Sequence, residues 1–211
     1  MPDAPDMTDT PDRPARADAR ANEDKLLVAA AAAFARDGAD ATLKQIAKDA
    51  GVGIGTLYRR FPTREQLVDA TYRYETSRLA AEAPGLLHEL PADLALRAWM
   101  SHVLDYIATK HGMADTLSTL LRGDERLSSR TRDQLTGAVE QFRLAGVAQG
   151  VIRADVPSPD ILMGLAGVTL VGGAPGQRAQ AERLLDLLMD GITRPDRHRD
   201  GSPPHLSGAR S

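Results

Sequence analysis

From Asn22 to Arg194 the apolar residues recur at helical spacing almost without interruption. No segment sustains the period-two alternation, rich in β-branched and aromatic residues, that a half-buried strand requires. A chain with this one period buries its apolar faces by packing helix on helix. The expected fold class is all-α, with about nine helices.

The helix starts and stops can be read from the residues that cap them. Asn22 caps a first helix that buries Leu26, Leu27, Ala30, Ala33 and Phe34 and stops near Gly38. Thr42-Leu43-Lys44-Gln45 has the form of a capping box, with Ile46, Ala47 and Ala50 on the buried face and Gly51 as the stop. After Val52-Gly53 a third short helix covers 54–61 and ends at Pro62. A second capping box, Thr63-Arg64-Glu65-Gln66, opens a fourth helix that runs to residue 83 and is closed by Pro84-Gly85. Five more helices are expected over 92–111, 114–122, 129–150, 159–171 and 177–192, the fourth of these opened by Ser158-Pro159.

The two ends differ in composition. Residues 1–21 carry Pro2, Pro5, Pro11 and Pro14 among Asp, Ala and Arg, which predicts a disordered arm, and 195–211 reads as a disordered tail. Between them lie a module over 22–75 and a larger domain over 76–194. Apolar residues are 42% and charged residues 26% of the chain, the usage of globular proteins. The absence of cysteine excludes disulfides, a thiolate nucleophile and thiolate metal sites, and agrees with a cytoplasmic protein. The apolar segments 26–35 and 161–176 fall short of the roughly 20 residues that cross a bilayer, so no membrane partner is expected.

The net charge of −3 argues against a protein that coats nucleic acid indiscriminately. The local balance is opposite: 42–64 holds Lys44, Lys48, Arg59, Arg60 and Arg64 against Asp49 alone. The third helix is short and has few apolar residues, leaving Thr56, Tyr58, Arg59 and Arg60 for an outward face. A helix rich in hydroxyl and guanidinium groups suits a phosphate-lined groove. Leu57 and Phe61 fall on the inward side. Gly55 permits close approach of the helix backbone to DNA. Arg13, Arg16 and Arg20 could enter a minor groove, but Asp3, Asp6, Asp9, Asp12 and Asp18 dilute them.

The stretch from Thr42 to Leu67, and above all Gly53-x-Gly55-Thr56-Leu57-Tyr58-x-x-Phe61, resembles the DNA-binding module of the TetR family of transcriptional regulators, over about residues 22–75. The resemblance implies an N-terminal three-helix helix-turn-helix module followed by a C-terminal helical domain that binds a ligand and dimerises. It implies base-edge and phosphate contacts from Thr56 and Tyr58, a phosphate contact where Thr42 caps its helix, and a backbone contact from Arg64, where the family usually has lysine. Lys44, Gly53, Ile54, Gly55, Arg59 and Arg60 complete the expected DNA surface. Gly53 stands where a hydroxyl cap is frequent and Ile54 where a polar side chain often reads a base, so direct readout is expected to be sparse.

In the C-terminal domain Trp99, His102, Val103 and Tyr106 recur on one helix face, with Met113, Phe142 and Met163 elsewhere. Core packing accounts for each singly. Aromatics are only 4% of the chain, and three polar-tipped side chains in one stretch suit a pocket for an apolar or amphipathic effector. No nucleophile elbow, phosphate loop or zinc helix is present, the five histidines are scattered, and neither enzyme activity, metal nor cofactor is expected.

One recognition helix reads only a few base pairs, so a specific regulator needs two copies at fixed spacing on a palindromic operator. The expected homodimer interface is Ile161, Leu165 and Val168 on one helix and Leu184, Leu188 and Ile192 on the next, forming an isologous four-helix bundle as in the resembled family. The competing function is a helical interaction protein whose basic helix only faces solvent.

Overall fold

The computed structural model describes residues 13–123, 125–172 and 176–194. Within them the chain forms helices α1 (Arg13–Asp37), α2 (Leu43–Asp49), α3 (Ile54–Arg60), α4 (Arg64–Ala81), α5 (Ala83–Glu89), α6 (Ala92–Gly112), α7 (Ala114–Gly123), α8 (Glu125–Gln149), α9 (Ser158–Gly172) and α10 (Arg178–Ile192). A 3₁₀ turn, Gly38–Asp40, joins α1 to α2. The only β-type pairing among the described residues is an isolated bridge between Ile152 and Thr193.

Both threonines cap their helices, although the Gln45 side chain donates to Asp49 at 2.6 Å instead of closing a reciprocal box. The Thr42 hydroxyl accepts from the Gln45 amide at 3.2 Å and the Thr63 hydroxyl from the Gln66 amide at 3.3 Å. Helix α8 starts at Glu125, four residues ahead of the expected 129, and two further differences are larger. Helix α1 begins at Arg13, nine residues before Asn22, so the part of the expected arm from residue 13 is helical. Alanine and arginine are strong helix formers, and a proline is tolerated in a first turn, where Pro14 sits. Residues 1–12, and the expected tail over 195–211, lie outside the described residues. The second difference is α5: Pro84-Gly85, expected to close the fourth helix for good, opens a further two turns, because proline in a first turn removes an N–H that has no intrahelical acceptor.

Helices α1 to α4 enclose Leu26, Phe34, Ile46, Leu57 and Leu67, all inaccessible to solvent. Helix α1 also packs along α6, and α4 packs on α7 and α8, so the small module and the large domain share one continuous core. Where α1 ends, Gly38 turns the chain with φ +58, and Gly112 at the end of α6 meets the backbone of Phe34.

In the larger domain Trp99 is fully buried, its indole N–H donates to the Leu79 carbonyl at 2.9 Å, and its ring lies 5.8 Å from that of Phe142. Helix α10 is tied to α6 by a polar clasp. Arg97 donates to Asp186 and to Glu182, each at 2.8 Å, Ser101 donates to Glu182 at 2.7 Å, and Arg178 holds both Glu182 and Asp105. Burial favours the protonated form of Glu182, but the donors from Ser101, Arg178 and Arg97 outweigh it and hold the carboxyl down at about 2.

Candidate nucleic-acid interface and ligand cavity

Helices α2 and α3 owe their mutual angle to one glycine. Gly51 adopts φ +68, a region that disfavours other residues, while the Val52 amide donates back to the Ala47 carbonyl at 3.0 Å. Helix α3 then begins at Gly53, which offers no side-chain cap but whose carbonyl accepts from the Thr56 and Leu57 amides at 2.9 and 3.2 Å. Leu57 and Phe61 are buried beneath it.

The outer face of α3 carries Ile54, 42% exposed, and Tyr58, 50% exposed, with Gly55, Arg59 and Arg60 beside them. Nothing lies within 4 Å of the side Gly55 would present. Thr56 is half-buried and accepts from the Arg59 guanidinium at 3.2 Å, so it steadies that cation. The exposed Thr42, Lys44 and Lys48 lie at the adjoining start and outer side of α2.

The local positive charge read from the sequence is unevenly available. Arg60 is 2.5 Å from Glu23 of α1. Arg64 donates to the carbonyls of Ala41 and Ala39, at 2.5 and 3.1 Å, and stacks over the Phe34 ring at 5.2 Å. Its guanidinium therefore joins α4 to the turn before α2. The side chains of Lys44 and Lys48 have no partner among the described residues.

The larger domain contains a cavity of about 500 Å³ among α4, α6, α8 and α9. Tyr72 of α4, Val103 and Tyr106 of α6, Leu135 of α8, and Met163 and Leu165 of α9 form much of its wall. The Tyr106 hydroxyl lies 3.3 Å from that of Thr76 on α4, and its ring is 6.2 Å from that of Tyr72. Burial raises the Tyr106 phenol well above its ordinary range, so the group stays neutral.

Residues 26–71 match the family model for bacterial regulatory proteins of the tetR family, and 91–194 match the C-terminal domain of SbtR-like transcriptional regulators. A TetR transcriptional regulator of known structure from Streptomyces coelicolor is 48% identical, over 81% of this chain and 97% of that one, with a TM-score of 0.74. The chain belongs to the TetR family of transcriptional regulators. A TetR regulatory protein from Mycobacterium vanbaalenii is 28% identical over 86% of this chain and 100% of its own, with a TM-score of 0.68. A transcriptional regulator from Cytophaga hutchinsonii, 16% identical over 82% of this chain and 98% of its own, shares the fold with a TM-score of 0.62. No curated protein sequence matches the chain.

As a TetR-family protein the chain is a DNA-binding transcriptional regulator, and the match to the family's N-terminal model runs from within α1 to within α4. Of the residues expected around a ligand, Val103, Tyr106 and Met163 stand together on the cavity wall. Trp99, Met113 and Phe142 are buried away from that wall. His102 is at the surface, its Nδ1 2.8 Å from Glu82, which Arg78 also holds. The sequence reading missed Tyr72, Lys110, Arg132 and Leu135, because helical spacing on α6 cannot say which faces of α4 and α8 lie opposite it.

The residues expected at a dimer seam divide. Ile161, Leu165 and Ile192 point into the subunit's own core, while Val168, Leu184 and Leu188 are half-buried. The outer side of the pair carries Leu170, 85% exposed, and Leu187, 66% exposed. Gly164 lets Leu188 close onto α9, since a Cβ there would lie 3.0 Å from a Leu188 methyl. No helix among the described residues is long and apolar enough to cross a membrane.

Proposed function

We propose that the chain is a homodimeric repressor, working in the cytoplasm without catalytic activity, that holds a palindromic operator through one α3 from each subunit. A small apolar or amphipathic effector enters the cavity among α4, α6, α8 and α9 and releases it. The observation that carries this reading is the double membership of α4. Leu67 and Val68 near its start are buried in the DNA-binding module, while Tyr72, one turn later, is part of the cavity wall. A packed helix moves as a unit, so an occupant that displaces Tyr72 shifts the frame on which α3 rests.

Dimerisation supplies the second half of the operator contact. The exposed Leu170 and Leu187, on the helix pair α9 and α10, form an apolar face suited to an isologous contact with the same pair of a second subunit.

The test starts by selecting genomic fragments on the purified protein and measuring their affinity. Compounds that raise the melting temperature of the protein are then added to the complex. Stabilising compounds should weaken operator binding, and Tyr72→Trp, which narrows the cavity, should blunt both effects. If every stabilising compound leaves the complex intact, the effector-released repressor is overturned.

A further inference from the structure

We propose that the molecule this cavity takes is an apolar compound bearing one anionic group, with the anion between Lys110 and Arg132 and the hydrocarbon body against Val103, Leu135 and Leu165. The inference rests on the cavity being the effector site and goes on to name the chemistry of its occupant.

Among the described residues the wall of the cavity includes two cationic side chains, Lys110 of α6 and Arg132 of α8, and no carboxylate. Among the described residues the partly buried guanidinium groups of the domain are matched, while the exposed Arg126, Arg130 and Arg183, like the exposed Arg132, hold no acid. Arg97 holds Glu182 and Asp186, Arg143 holds Glu140, and Arg178 holds Glu182 and Asp105. The side chains of Lys110 and Arg132 hold no acid and have no hydrogen-bond partner among the described residues. Burial keeps the Tyr106 phenol protonated, so the wall gains no negative charge from it.

Two unmatched cations at an otherwise apolar and hydroxyl-bearing wall favour a ligand that brings the missing charge. A bond between such a cation and a carboxylate is shorter and stronger than one between neutral groups. Ser128, Thr131 and Thr136 come from the same helix as Arg132 and supply hydroxyl donors for the remaining lone pairs of the head group. Val103, Leu135 and Leu165 give the tail an apolar surface. A positively charged amphiphile of the same length would meet like charge at both positions and is selected against.

The probes are decanoate, decanol and decyltrimethylammonium, titrated into the full-length protein by calorimetry. Decanoate is expected to bind about tenfold or more tightly than decanol, and the ammonium compound weakest. Lys110→Met combined with Arg132→Met should bring decanoate to within about twofold of decanol and leave decanol unchanged. Thr136→Trp, which fills the cavity, should abolish both. Should that variant fail to fold, Ala166→Trp fills the same space from α9. If decanoate binds no better than decanol, or its preference survives loss of both cations while the tryptophan variant still abolishes binding, the anionic class is wrong and the cavity stands. If no probe binds, or binding is untouched by the filled cavity, the effector site itself is misplaced.

Discussion

Gly112 faces the carbonyl of Phe34 so closely that a Cβ on it would lie 1.8 Å from the oxygen and 3.3 Å from the Cα of Gly38. These are backbone atoms, so no rotamer change can relieve the overlap. Gly112→Ala should push α1 away from α6 and lower the free energy of unfolding by about 2 kcal/mol or more. The check is urea denaturation, where an unchanged midpoint would show slack in this junction.

Arg64 separates a structural from a DNA-facing role. Arg64→Lys removes the forked donation to Ala39 and Ala41 while keeping the charge, and should destabilise the protein by about 1 to 3 kcal/mol. Operator affinity measured well below the melting temperature should retain its salt dependence. Full stability with a shallower salt slope would place this guanidinium on a phosphate instead.

Tyr58→Phe removes one hydroxyl from a half-exposed side chain and should leave the melting temperature unchanged. Operator binding should weaken by about 1 to 3 kcal/mol if the hydroxyl meets the DNA. Thr56→Ala should act through Arg59, whose guanidinium it holds. Fluorescence anisotropy on a selected fragment reads both, and unchanged affinity for the pair would remove α3 from the contact surface.

Leu187→Glu charges the outer side of α10 at a position already 66% exposed, so the fold of a single subunit should survive. Sedimentation should move toward the monomer, and operator affinity should fall although no DNA-facing residue has changed. A dimer of wild-type strength would assign the interface to another surface.

The clasp between α6 and α10 carries a pH signature. The Glu182 carboxyl is held at about 2, below its ordinary 4.5, so its ionised form stabilises the fold fully above pH 4.5. That contribution is lost as pH falls from 4.5 toward 2. Glu182→Gln should therefore reduce the steepness of acid destabilisation in that window, read from thermal melts at successive pH values. Parallel curves for the two proteins would count against the clasp.

How far such features could be read in advance depended on how local their causes are. The caps at Thr42 and Thr63 involve residues three apart, and both were visible in the sequence. The role of Arg64 was not, because its acceptors lie 23 and 25 residues away and become neighbours only when α1, α2 and α4 assemble. The same holds for the cavity wall. Trp99, His102 and Tyr106 share a helix face, yet Trp99 is sealed by Leu79 and Phe142, His102 is drawn to Glu82, and Tyr106 alone reaches the cavity. Their fates were set by α4 and α8, whose placement no spacing on α6 encodes.

Residue 71 is where the match to the tetR-family module ends, and Tyr72 of the cavity wall comes next on the same helix. A crossover ahead of Tyr72 would exchange the matched module for that of a relative while leaving the cavity wall native. One placed at Glu82, the single residue between α4 and α5, would carry a foreign residue into that wall. Recombination among relatives, in nature or in the laboratory, can thus exchange the module without touching the cavity only by cutting inside a helix.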